Sequence, residues 1–172
     1  LRKKRYTRYS GIVDAWRKPK ISTALLKAMH LQEPFIQIFG DWSATRDTPL
    51  RQIHIFTNCD KVILEQNHRQ LHELLGQRHL MVEIPFDKGV LTARGLRNHA
   101  EVISILEPYG NAQRLEIIQL EPDLFEISAR DADGTVALDW CDFVQIKAQS
   151  PARACFYTSK DEVLVDGGTG FL

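Results

Sequence analysis

The stretch IHIFTNCDKVILEQNHRQL, residues 53–71, alternates short apolar runs with turn-forming residues. Its first two runs, 53–56 and 61–64, are separated by Asn58-Cys59-Asp60. Runs rich in Ile, Val and Phe that are bounded by Asn and Asp are typical of β-strands. We therefore predict two strands here, followed by a hairpin turn at Asn67-His68.

The same pattern extends along most of the chain, with turn signals at roughly ten-residue spacing, which is typical of an antiparallel sandwich. The further strand-like runs are 35–39, 80–84, 90–95, 101–106, 114–120, 124–130, 143–148, 154–157 and 162–165. Residues 108–111, Pro-Tyr-Gly-Asn, resemble a linker. The predicted fold class is all-β: two consecutive Ig-like antiparallel β-sandwich units, 34–110 and 111–172, preceded by a short helical segment within 1–33. Alternate residues of a strand share a face, which predicts a buried face containing Ile36, Ile38, Ile53, Ile55, Val62 and Leu64.

Residues 19–30 have a helical rather than a strand-like period. Pro19 suits a first helical turn, because its missing N–H costs nothing there. Apolar residues follow at helical spacing: Ile21, Ala24, Leu25, Ala28 and Met29. We expect this helix to dock partially on the first sandwich and to leave part of its apolar stripe uncovered.

Residues 65–80 allow a second interpretation as a helix, since His68 and His72 stand four apart, as zinc ligands on a helix would. His79 and Glu73 could complete such a site, but the metalloprotease order His-Glu-x-x-His is absent. The hairpin interpretation is favoured, with its polar histidines facing water. The sequence predicts no metal site and no cofactor.

Charge and composition argue against several classes of partner. Lys plus Arg number 22, as do Asp plus Glu, so the formal net charge is zero. Nucleic-acid binders usually carry excess positive charge, which argues against that class. The basic cluster at 2–5 is therefore interpreted as a solvated or partner-covered end. No run approaches the about 20 apolar residues that span a bilayer. The 3 cysteines show no C-x-x-C spacing, which slightly favours a reducing, cytoplasmic location over a secreted or periplasmic one.

Four stretches together resemble the C-terminal, non-catalytic region of glycoside hydrolase family 2 enzymes, the β-galactosidase and β-glucuronidase group. They are the turn TNCD at 57–60, GIVDAWRKPK at 11–20, PFIQIFGDW at 34–42 and VLTARGLRNHAEV at 90–102. The resemblance implies the end of a catalytic barrel followed by Ig-like domains. Three positions depart from the family pattern: His68 replaces a Gly, Asp41 a His, and Ala44 a Trp.

The resemblance implies an accessory, structural role without catalysis by this chain itself. Retaining glycosidases need two carboxylic acids about 5 Å apart, and the family's acid/base Glu follows an Asn, a pair that this sequence lacks. No catalytic residue is therefore assigned, and Cys59 is interpreted as a packing residue. The implied partners are the catalytic barrel of the parent hydrolase and a second copy of the chain.

A carbohydrate-binding module is the alternative function. Such a module uses exposed aromatic rings as platforms for sugars, and the candidates are Trp42, Trp140 and Trp16, whose other interpretation is packing in a core. A third interpretation is a generic adhesion-type pair of Ig-like domains, for which the fold alone gives no activity.

Overall fold

The computed structural model describes residues 11–13, 19–46, 48–122, 124–145, 162–165 and 169–171. Two compact units are formed, the first from Leu1–Gly40 and Leu50–Leu106, the second from Asp41–Pro49 and Glu107–Leu172. Among the described residues, no helix is long and apolar enough to cross a membrane.

The described part of the first unit contains one helix and two antiparallel sheets. Its elements are α1 (Ile21–His30), β1 (Ile36–Gly40), β2 (Leu50–Thr57), β3 (Lys61–Gln66), β4 (Arg69–Leu75), β5 (His79–Pro85), β6 (Leu91–Arg97) and β7 (Ala100–Leu106). One sheet has the order β1-β2-β5 and the other β4-β3-β6-β7, with every pairing antiparallel. This is an Ig-like sandwich, and the predicted all-β class with a short helix is confirmed.

The core of this unit lies between the two sheets. Ile53 and Ile55 of β2 are completely buried, as are Val62 and Leu64 of β3, and Ile36 and Ile38 of β1 are nearly so. The predicted hydrophobic face is therefore confirmed. Burial follows the period of two that a strand imposes on its side chains, because every second residue points to the same face.

Two tight hairpins use residues other than glycine at positive φ. Asn67 and His68 have φ of 49° and 66°, and Asn98 and His99 repeat the arrangement at 48° and 64°. Positive φ at both central residues gives the two-residue turn whose twist matches the flanking strands, and Asn and His tolerate it better than most residues. The predicted hairpin at Asn67-His68 is confirmed, and the helical interpretation of 65–80 is wrong, since this stretch runs through β3, β4 and the start of β5.

Helix α1 packs on the outer face of the three-stranded sheet through its two alanines. Ala24 and Ala28, one turn apart, are buried against Phe56, with Phe35 and Phe39 at the edge of this cluster. The rest of the apolar stripe remains exposed, with Ile21 at 48%, Leu25 at 36% and Met29 at 52% of their full accessibility. The expected partial docking is therefore observed.

Where the structure describes the second unit, it has five strands: β8 (Arg114–Glu121), β9 (Leu124–Arg130), β10 (Asp142–Gln145), β11 (Glu162–Val165) and β12 (Thr169–Phe171). They form the sheets β12-β9-β8 and β10-β11, again antiparallel. The predicted strand at 154–157 lies outside the described residues.

A polar loop after β9 is organised by Asp131. Its carboxylate accepts hydrogen bonds from the backbone N–H groups of Gly110, Asp133 and Thr135 at 2.8–3.0 Å. Burial acts to raise the pKa of Asp131, but the backbone donors outweigh it, so its pKa is lowered. The charged form of this side chain therefore stabilises the loop.

Candidate functional site

The turn Thr57–Asp60 binds the segment that connects helix α1 to β1. Asn58, only 4% exposed, donates from Nδ2 to the carbonyl oxygens of Leu31 and Glu33 at 2.9 and 2.8 Å. Its Oδ1 accepts from the N–H of Phe35 at 2.8 Å. An Asn side chain can donate and accept at once, which suits it to tie down a segment without regular structure. Asn58 thereby fixes the position at which the helix joins the sandwich.

Cys59 in the same turn is a packing residue, as predicted. The residue is 3% exposed, and its thiol faces the carbonyl oxygen of Phe35 at 3.6 Å. That oxygen also accepts hydrogen bonds from Thr57 Oγ1 and from the N–H of Asn58. A Cβ added at Gly95 would lie 2.6 Å from the Cys59 Sγ, so β6 packs directly on the thiol. Reactive cysteines are accessible and lie in electropositive surroundings, unlike this buried one.

A polar cleft of about 250 Å³ lies beside this turn. It is lined by Asn58, Cys59, Asp60, Gly76, Gln77, Arg78 and Arg97. Asp60 is the one carboxylate among these lining residues, whereas glycoside hydrolysis requires a pair. The cleft therefore has no arrangement for double-displacement chemistry.

Two carboxylates do meet on the outer face of the four-stranded sheet, but around an arginine. Glu65 Oε2 lies 3.1 Å from Arg94 Nη2, and Glu101 binds Nη1 of the same guanidinium. The hydrogen bonds that Arg94 donates to Glu101 and to Glu65, the first having the larger effect, raise the pKa of Arg94. All three side chains are partly exposed. Exposed ion pairs of this kind contribute little to stability because solvent screens them, so this cluster is interpreted as a cross-strand ion-pair network.

The three candidate tryptophans have different environments. Trp42 is completely buried, so its ring cannot act as a platform for a sugar and serves packing instead. Trp140 is half-buried and lines a shallow cleft of about 210 Å³ together with residues 112–115. Trp16 lies outside the described residues. Trp140 is thus the candidate for carbohydrate binding that the described part of the chain retains.

Asp41, which departs from the family pattern, belongs to a polar network next to Trp42. Its Oδ1 accepts a hydrogen bond from the Tyr109 hydroxyl at 2.8 Å, and its Oδ2 lies 2.6 Å from Arg46 Nε. Burial of the Tyr109 side chain raises the pKa of its hydroxyl, and the hydrogen bond that it donates to Asp41 raises this pKa further. Sequence reasoning missed this pair, because its members stand 68 positions apart.

The exposed apolar stripe of α1 is the strongest candidate for a contact surface in the first unit. Ile21, Leu25 and Met29 follow one another at the spacing of one helical face, and the turn around Asn58 holds the C-terminal end of the helix in place. Contiguous apolar surface of this kind is typical of sites that contact another protein surface. The arrangement is suited to binding and carries no chemistry of its own.

Several solved structures share the fold of this chain. No family model matches the chain, and no curated protein matches it. Among solved structures, a β-glycosidase from Bacteroides vulgatus superposes with a TM-score of 0.77 at 17% identity, over 94% of this chain and 24% of that one. A glycosyl hydrolase family 2 member from Bacteroides cellulosilyticus gives 0.73 at 16% identity, over 94% and 28%. A β-glucuronidase from glycoside hydrolase family 2 gives 0.75 at 20% identity, over 94% and 20%.

The match includes nearly all of this chain but only a minor part of each enzyme. The chain spans between 20% and 28% of the length of these three structures. At identities this low the likeness concerns the fold. The resemblance seen in the sequence is confirmed at that level: this chain has the fold of a partial region of glycoside hydrolase family 2 enzymes.

Proposed function

We propose that this chain is a non-catalytic, accessory region of a larger glycoside hydrolase of the β-galactosidase and β-glucuronidase type. One observation carries the proposal: the fold match covers 94% of this chain and about a quarter of each enzyme. A region that makes up a recurring fraction of larger hydrolases is best explained as one structural part of such an enzyme.

The exposed stripe of α1 supports this role. Burying apolar surface is worth about 25 cal/mol per Å², so three exposed large side chains on one helical face are a favourable surface for docking. The alanine face of the helix is already used against Phe56. We assign the adjacent, exposed flank of the helix to contact with the catalytic domain of the parent hydrolase.

The environment of the carboxylates in the first unit supports a non-catalytic role. Glu65 and Glu101 share Arg94, and Glu73 is bound to Lys61 at 2.8 Å. These carboxylates lie on the outer face of a sheet, where ion pairs with neighbouring strands are common. Catalysis would then depend on the catalytic domain, and the accessory region would support its shape.

The test compares this chain with the longer protein encoded by the same gene. Both are assayed with nitrophenyl β-galactoside and nitrophenyl β-glucuronide at equal molar concentration. We expect turnover by the longer protein and none by the 172-residue chain. Turnover by the short chain that a single Glu→Gln substitution abolishes would overturn the proposal.

Carbohydrate binding is the alternative, and Trp140 provides its test. The Trp140→Ala variant and the unchanged chain are compared for retention on immobilised polysaccharides. Retention that depends on Trp140 would assign a binding function to the second unit, whereas no retention of either protein would leave the accessory role as the function of this region.

A further inference from the structure

Two histidines, His54 and His79, meet on the outer face of the three-stranded sheet. His54 Nδ1 lies 2.9 Å from His79 Nε2. The two rings are nearly parallel, with an interplanar angle of 9° and centroids 5.2 Å apart. The residues stand 25 positions apart and meet because β2 pairs with β5.

The pair is held in place by the sheet and by an aromatic ring. Phe56 is opposite His79 in the strand register, and their rings stack at 4.5 Å with an interplanar angle of 7°. Phe56 is itself buried beneath Ala24 and Ala28 of α1. His79 is exposed and His54 half-buried, so the nitrogens are positioned by packing and can still be reached from solvent.

We propose that His54 and His79 form a binding site for a divalent transition-metal ion of the Zn²⁺, Ni²⁺ and Cu²⁺ class. Neutral imidazole nitrogen is the commonest metal ligand in proteins. Zn–N bonds of about 2.0–2.1 Å in tetrahedral geometry place two ligand nitrogens about 3.3 Å apart. The two nitrogens now share a hydrogen bond of 2.9 Å, so metal binding requires the shared proton to move to the other nitrogen of its ring. The nitrogens must also separate by about 0.4 Å, and the rings must turn so that both lone pairs face the ion.

The site has two protein ligands, and water completes the coordination. The described residues contain no group of three or more His, Cys, Asp or Glu that could enclose a metal ion. Closed structural zinc sites use four protein ligands, so this site is an open, exchangeable one. The bound ion would connect β2 with β5, and a ligand that binds only the folded state raises stability with the logarithm of its free concentration once that concentration exceeds the Kd.

Zinc binding to the whole chain, with accessible thiols alkylated, tests the proposal by calorimetry and by NMR of the imidazole nitrogens. The two variants are His54→Gln and His79→Phe, of which the second keeps an aromatic ring to stack on Phe56. We expect each to weaken the zinc Kd by at least about tenfold. In the unchanged chain, zinc should shift the resonances of His54 Nδ1 and His79 Nε2.

The matched controls are His68→Asn and His99→Asn, in which Asn accepts the positive φ of each hairpin turn. We expect both to bind zinc like the unchanged chain and to show the same increase in Tm with zinc. Zinc binding that survives both site variants, or that shifts other imidazole nitrogens, would overturn the proposal. So would the absence of any zinc binding. The result is independent of hydrolase activity.

Discussion

Replacing Asn58 with Ala tests whether the turn Thr57–Asp60 holds helix α1 on the sandwich. The substitution removes three hydrogen bonds, to the carbonyl oxygens of Leu31 and Glu33 and from the N–H of Phe35. At a net value of about 1 kcal/mol for each bond, the loss in the free energy of unfolding is about 3 kcal/mol. Because Leu31 and Glu33 are exposed, water can bond to their carbonyl oxygens in place of Asn58. No large penalty for unpaired buried groups is therefore added to this value.

The assay is urea denaturation of the first unit, followed by amide hydrogen exchange of α1. A loss of about 3 kcal/mol corresponds to a decrease in Tm on the order of 15 °C for a domain of this size. Exchange should accelerate in α1, because the helix then loses the side-chain bonds of Asn58 and depends mainly on the packing of Ala24 and Ala28 for its attachment. In strands β3 and β6, protection from hydrogen exchange should decrease only as much as the free energy of global unfolding decreases.

The control is Asn111→Ala, a substitution at an exposed Asn. It should change stability by no more than about 0.5 kcal/mol. A loss below about 1 kcal/mol for Asn58→Ala, or unchanged exchange in α1, would refute the reasoning that this turn positions the helix.

Three further outcomes are expected. Gly95→Ala should destabilise the first unit, because its Cβ would lie 2.6 Å from the Cys59 Sγ, and adding Cys59→Ala should recover part of the loss; additive losses in the double variant would contradict this contact. The lowered pKa of Asp131 means that its contribution to stability is complete above its unfolded value of about 4 and is lost as pH falls through the folded value. Asp131→Asn should therefore flatten the acid side of the stability curve, as measured by thermal melts between about pH 2 and 6. Replacing Leu25 with Glu on the exposed stripe should leave the Tm of this chain nearly unchanged but weaken its association with the catalytic domain in a pull-down. An equal pull-down yield would show that α1 is not part of the proposed interface.

The sequence alone determined the features that depend on local chemistry. Asn67-His68 and Asn98-His99 form tight hairpins because Asn and His tolerate positive φ. The strands follow from the alternation of apolar residues, whose period of two is the same for any strand of a sandwich. The helical spacing of Ala24 and Ala28 placed both on one face of α1. None of these features requires knowledge of a distant partner.

Only the tertiary structure decided which distant residues meet. In the sequence, the turn Thr57–Asp60 separates two consecutive strand-like runs, but β2 and β3 lie in different sheets and β2 pairs with β5. The pairing of β2 with β5 brings His79 next to His54. The turn itself makes no hairpin, and its Asn58 binds the segment before β1. Local pattern states which face of a strand is buried but not which strand lies beside it, because pairing depends on how the two sheets as a whole bury their apolar faces. The same limit left the candidate Trp42 undecided between a platform and a core residue until its surroundings were known.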